Sequence, residues 1–259
     1  MTATKELVRL AAIGDLHCPK TPPDTLQHLF SQVTEQADVL LLCGDLTDYG
    51  RPEEAHLLAQ GLATHARLPT IAVLGNHDYE SDQHEEVCRI LADAGVMMLD
   101  GHACEVYGIG FVGVKGFAGG FGQWALQPWG EGTTKHFVRE TVDEALKLES
   151  ALAKLRTPQR VALLHYSPIR ATVEGEPPEI FPFLGSSRLE EPLNRYAVTV
   201  VFHGHSHHGS PEGRTTGGIP VYNVAIPLLH KAFPDQPQFR VVEIPVAPPS
   251  GNHGNNMER

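Results

Sequence analysis

Residues 38–50 read DVLLLCGDLTDYG, and two kinds of sequence meet there. VLLLC is a continuous apolar run of strand length, the pattern of a β-strand buried on both faces. GDLTD follows at once and sets Asp45 and Asp48 just beyond the end of that strand. The same arrangement recurs along the chain. LVRLAAI (7–13) runs into GDLHC with Asp15 and His17, and PTIAVL (69–74) runs into GNHDY with Asn76, His77 and Asp78. RVALLH (160–165) ends on His165, and VTVVF (198–202) runs into HGHSHHG, which holds His205 and His207. In open α/β sheets the C-terminal ends of the strands are where ligands bind.

The segments between these strands supply the helices. Pro22 and Pro23 start a helix that runs to about Gln36, with Thr21 expected as its N-cap. Further helices are expected over about Pro52 to His65, Ser81 to Ala94 and Lys135 to Leu155. The repeated β-α-β order predicts a parallel sheet with right-handed crossovers. Residues 96–116 change character, with short Gly-broken strands that read as a meander. GFAGGFGQWALQPWGEG (116–132) reads as a long loop, and the proline-rich stretch 167–188 as a second irregular excursion. Strands over 198–204, 218–225 and 238–244 close the fold. Residues 1–245 are expected to form one domain, and 246–259 a disordered tail.

Composition narrows the partners. The 259 residues carry 31 acidic against 20 basic side chains, a net charge of −11, with no Lys/Arg cluster. Phosphate backbones need many cationic contacts, so stable nucleic-acid binding is not expected. The longest apolar runs have strand length, far short of a membrane span. The first residues lack the apolar core of a signal peptide, so a cytoplasmic protein is expected. Cys18, Cys43, Cys88 and Cys104 are widely spaced, without a CxxC pair, and are expected to be free thiols.

Each polar tip alone is ordinary, since Asp after a strand is usually a turn or cap residue. Five such tips on one sheet edge, most of them preceded by Gly, would be costly unless something held them. The expected occupant is a metal. In extended chain, residues i and i+2 point the same way, so Asp15 with His17, and His205 with His207, are expected to aim together. Oxygen and imidazole ligands without thiolate suit Mn, Fe, Zn or Ni.

The ordered set D-x-H (15–17), GD-x-x-D (44–48), GNHD (75–78), His165 and GH-x-H (204–207) resembles the calcineurin-like metallophosphoesterases. The resemblance implies a four-layer αββα sandwich, two mixed sheets flanked by helices, with a dinuclear metal centre at the strand ends. It implies one ion held by Asp15, His17, Asp45 and His207, and another by Asp45, Asn76, His165 and His205, with Asp45 bridging. The cofactors would be two divalent or trivalent ions, and a hydroxide shared between them the nucleophile for in-line attack on phosphorus. His77 aligns with a non-ligand histidine that contacts phosphate and protonates the leaving oxygen, and Asp48 with the acid that orients it. A helix N-cap before Pro52 is the equal alternative for Asp48.

Two departures narrow the substrate. The protein phosphatases of this superfamily carry Arg where this chain has Tyr49, and the purple acid phosphatases a metal-binding Tyr where it has Asp48. What remains looks more like the bacterial phosphodiesterase-type branch, acting on a small phosphodiester or nucleotide-like substrate. The alternatives are a phosphomonoesterase, a nuclease, or a non-catalytic scaffold of the same fold; the scaffold is disfavoured because no ligand is lost. Asn76, His77 and Lys115 are the candidate substrate contacts. Phe117, Phe121, Trp124 and Trp129 would each stack on substrate or, more ordinarily, pack the loop. Arg170 and Arg188 would contact a phosphate or, more ordinarily, supply surface charge. Of the remaining histidines in 202–209, His203 is expected behind the site and His208 at its rim.

Overall fold

The computed structural model describes residues 6–65 and 68–246. In chain order its elements are β1 (Leu7–Ile13), α1 (Pro23–Gln36), β2 (Val39–Cys43), α2 (Pro52–His65), β3 (Thr70–Val73), α3 (His84–Asp93), β4 (Met97–Met98), β5 (His102–Val106), β6 (Ile109–Gly113) and α4 (Gly132–Leu152). They continue with β7 (Gln159–Leu163), α5 (Phe181–Leu184), α6 (Glu190–Arg195), β8 (Val200–His203), β9 (Glu212–Arg214), β10 (Pro220–Asn223), α7 (Ile226–Ala232) and β11 (Arg240–Pro245). Most of the expected tail, from 247 onward, lies outside the described residues.

Two mixed sheets form. One has the order β11-β1-β2-β3-β4 and the other β5-β6-β7-β8-β10-β9. β1 through β4 are parallel, with β11 antiparallel at the edge. β6, β7, β8 and β10 are parallel, and β5 and β9 run antiparallel at the two edges.

The alternation of β2 shows why four layers result. Val39, Leu41 and Cys43 face the second sheet and pack with Phe111, Leu163 and Phe202. Leu40 and Leu42 face the other way, against Phe30, Leu58 and Leu91 of α1, α2 and α3. All five β2 side chains are fully buried, and each large one contributes roughly 1.5–3 kcal/mol of hydrophobic free energy. The outer face of the second sheet, with Val112, Ala162 and Val201, is covered by Leu148 and Leu152 of α4 and Leu193 of α6. No helix among the described residues is long and apolar enough to cross a membrane.

Several local expectations need correction. Thr21 does not cap α1; its hydroxyl donates to the Leu16 carbonyl at 2.6 Å, and Pro22 occupies the cap position without a side-chain bond. The third helix starts at His84 rather than near Ser81, whose hydroxyl donates to the Tyr49 carbonyl. The segment 96–116 is not one meander. β4 extends the first sheet in parallel to β3, and only β5 and β6 form a hairpin in the second. β9 and α7 have no counterpart among the expected elements.

Candidate metal centre

The two sheets bring their strand ends to one edge. The Gly14 amide, just after β1, donates to the Val224 carbonyl at 2.8 Å. His165, two residues past β7, donates from Nδ1 to the Cys43 carbonyl of β2 at 3.1 Å. That bond leaves Nε2 of His165 facing the opposite way, 2.9 Å from Asn76 Oδ1 and 3.4 Å from Asp45 Oδ1.

Three overlapping sets of donor atoms result, each within 4.8 Å: Asp15, His17 and His207; His17, Asp45 and His77; Asp45, His165 and His205. His207 Nε2 lies 3.0 Å from Asp15 Oδ1, and His17 Nε2 lies 3.7 Å from Asp45 Oδ2. The His205 amide donates to both oxygens of Asp15, and the His77 amide to Asp45 Oδ1 at 2.9 Å. The structure therefore brings together Asp15, His17, Asp45, Asn76, His77, His165, His205 and His207.

The reason for this convergence differs from the one expected. Asp15, His17, Asp45 and His205 all have positive φ, between 45° and 71°. They are not extended, so i, i+2 alternation does not aim them. Left-handed backbone at a non-glycine residue is uncommon and costs free energy. Four such residues at one place mark tight loops held by their surroundings.

Glycine provides the room. A Cβ at Gly75 would overlap Asp45 Oδ1 and the Asp45 amide nitrogen, and one at Gly44, itself at φ +83°, would sit 2.6 Å from His165 Cβ.

Charge in the cluster favours a cation. Burial raises the Asp45 carboxyl well above its ordinary value, and the charges of Asp15, Asp78 and Asp48 push it the same way. A divalent ion beside Asp45 would reverse that balance. Burial also lowers the pKa values of His165, His17 and His205, favouring the neutral imidazole that binds metals. His207 is raised by its hydrogen bond to Asp15. Buried oxygen and imidazole donors, with glycine clearing the space around them, thus fit bound metal.

Asp48 holds neither position expected of it. Its carboxylate oxygen lies 3.1 Å from His17 Nδ1 and 3.4 Å from Lys20 Nζ. It is the Asp48 backbone carbonyl that accepts from His77 Nδ1, at 2.8 Å. Nor does Asp48 cap α2. Glu54, in the first turn of α2, instead reaches back to accept from the Tyr49 and Arg51 amides, the return half of a capping box. The side chain of Asp48 approaches His17 without hydrogen-bonding it, while its backbone orients His77.

Lys115 stands outside the donor sets. Its ammonium donates to the Gly116 carbonyl and lies 4.8–5.4 Å from the rings of Tyr79, Phe117 and Tyr166. Tyr166 in turn packs on His205, with ring centroids 4.4 Å apart. In the loop 116–132, Phe117 packs on Phe137, whereas Trp124 and Trp129 are 79% and 69% exposed and do not hold the loop to the domain. Arg188 reaches Gln127. His203 is fully buried and bonded to Thr172 and Gly204, and His208 is exposed.

Asp78 was missed as a framework residue. Fully buried, it accepts from the Leu46 and Thr47 amides, the Thr47 hydroxyl and the Gly75 amide at 2.6–3.2 Å. It thereby joins the loop carrying Asp45 to the loop carrying Asn76. Its place in GNHD was the available signal, but the motif does not reveal its partners. Each amide left unpaired in Asp78→Ala costs about 1–3 kcal/mol, so thermal unfolding should show a Tm lower by roughly 10 °C. Asp78→Asn, which keeps one acceptor, should fall between the two. An unchanged Tm in the Ala variant would contradict this role.

The sequence profile of the calcineurin-like phosphoesterases matches residues 8–209. Among solved structures, the chain is similar to the phosphopantetheinyl hydrolase from Mycobacterium tuberculosis, at 16% identity and TM-score 0.65, with 90% of this chain and 95% of that one covered. It is also similar to a protein of Thermus thermophilus, at 15% identity and TM-score 0.57, covering 93% of this chain and 100% of that one. No curated protein matches the sequence.

Proposed function

The chain belongs to the calcineurin-like phosphoesterase family, whose members are metal-dependent phosphoester hydrolases, and within it we propose that it hydrolyses a small phosphodiester or nucleotide-like substrate at a dinuclear centre. The observation that carries this reading is the chain of three donor sets, linked through His17 and Asp45. Asp15, His17, Asp45 and His207 would hold one ion, and Asp45, Asn76, His165 and His205 the other. Bound there, the ions would supply Lewis acidity toward the phosphoryl oxygens and lower the pKa of a coordinated water.

The chain's own residues do the rest. The Nδ1 bond of His77 to the Asp48 carbonyl turns Nε2 toward the site, where it can contact phosphate and give a proton to the leaving oxygen. Lys115, with Asn76 and His77, is the candidate for holding substrate, since it lies 5.3 Å from the Tyr166 ring, which packs on His205. A net charge of −11 favours a small substrate over a polymeric nucleic acid. The two solved relatives share the fold at low identity, so the choice of a diester rests on the site residues, including Tyr49 and Asp48.

Comparing leaving groups tests the role of His77. In His77→Gln, hydrolysis of a diester with a poor alkoxide leaving group should fall by about 10²–10⁴-fold. Hydrolysis of the p-nitrophenyl diester, which departs without a proton, should fall much less. Equal losses on both would remove the proton-donor role, and a higher kcat/KM for the matching monoester in the unaltered protein would overturn the diester assignment.

A further inference from the structure

On the outer side of the second sheet lies a cavity of about 420 Å³, lined among others by Phe121, Trp124, Arg170, Glu190, Arg214 and Thr216. None of its lining residues belongs to the metal centre. The floor is where Arg170–Thr172, a single 3-10 turn, meets β9: a Cβ at Gly213 would touch Ile169, Ala171 and Thr172.

Two arginines line this cavity on a protein that is strongly acidic overall. Arg170 approaches Glu174 through Nε at 3.6 Å and lies over the Phe181 ring, and Arg214 gives Nη1 to the Gly218 carbonyl. Each guanidinium offers five N–H donors, so most of each fork remains available to an anion. The single lining carboxylate, Glu190, accepts from the Thr216 amide. The lining side chains sum to one positive charge, which Glu174 beside Arg170 offsets from outside the lining.

The other wall is aromatic. Trp124 is 79% exposed, an unfavourable position for an indole with nothing to cover it. The turn that carries it is fixed from below: the Gly122 amide donates to Ser187 Oγ, the Ala125 amide to the Gly122 carbonyl and the Leu126 amide to the Gly119 carbonyl. A braced turn thus presents a flat ring to a cavity that two guanidinium groups also line. Indole faces stack on planar bases, guanidinium forks pair with phosphate or carboxylate, and cavities of this size take small molecules.

We propose that this cavity is a second ligand site, separate from the metal centre, for a small anion bearing a planar aromatic ring, of the mononucleotide class. It does not depend on the identity of the phosphoester cleaved at the metals.

The chain has two tryptophans, so in Trp129→Phe the indole emission reports Trp124 alone. Metal-loaded Trp129→Phe should show saturable quenching with a non-hydrolysable phosphonate analogue of a purine 5′-mononucleotide. Arg170→Gln and Arg214→Gln, made in that background, should each weaken the apparent affinity roughly tenfold, with Tm and phosphodiester turnover unchanged. The free nucleoside should bind at least about tenfold more weakly than the phosphonate. Absence of saturable quenching at millimolar analogue, quenching that survives the double Arg variant, or equal affinity for nucleoside and phosphonate would each overturn the proposal.

Discussion

Replacing Asp45 by Asn is expected to lower phosphodiester turnover by roughly a thousandfold and to cut the bound metal from two ions per chain to one or none. Asp45 belongs to two of the three donor sets, with one oxygen 3.4 Å from His165 Nε2 and the other 3.7 Å from His17 Nε2. An amide of the same shape keeps an acceptor for the His77 amide, so folding should survive. It loses the charge that two cations would share. Steady-state kinetics, elemental analysis and thermal unfolding on the same preparation check this. A variant that keeps both ions and turns over within about tenfold of the parent, a loss far below that of one stabilising group, would show that Asp45 does not bridge.

The second large effect needs no change to any donor. Gly75→Ala places a methyl group on Asp45 Oδ1 and on the Asp45 amide nitrogen. The obstacle includes backbone, which cannot swing aside, so the loop carrying Asp45 must move. Overpacking of this kind costs about 1–3 kcal/mol, and a shift near 1 Å at reacting groups costs on the order of 10²-fold in rate. Gly132→Ala is the matched control. A Cβ there meets nothing within 4 Å, and the position begins α4, so its stability should change by under about 1 kcal/mol and its rate not at all. Equal behaviour of the two variants would show that the space behind Asp45 is not needed.

Much of this was legible in the sequence because period and punctuation agreed. VLLLC must be buried on both faces, and it is; GDLTD must then begin at the sheet edge, and it does. The donor set could be read because its members each follow a strand, so order along the chain became position on one edge. What the sequence could not carry was backbone conformation and choice of partner. D-x-H looks the same whether its residues are extended or left-handed, and only the folded loops fix φ at 60° for Asp15 and 45° for His17. Asp48 has both a carboxylate and a carbonyl near the site, and the motif does not say that the first reaches His17 and the second His77. β9, three residues long, and α7, entered through Pro227, are too short to leave a periodic signature. The exposure of Trp124 depends on how two irregular excursions are joined, through Gly122 and Ser187, which no local pattern encodes.

Asp45 and its neighbours are proposed to hold two ions on which phosphoester hydrolysis depends. Metal content measured together with turnover of bis(p-nitrophenyl) phosphate tests it most directly. Two transition ions per chain are expected, with loss of turnover when a chelator strips them and recovery when manganese, iron, zinc or nickel is returned. Full turnover by protein that holds no metal, or two tightly bound ions with no hydrolysis of any phosphoester, would contradict it.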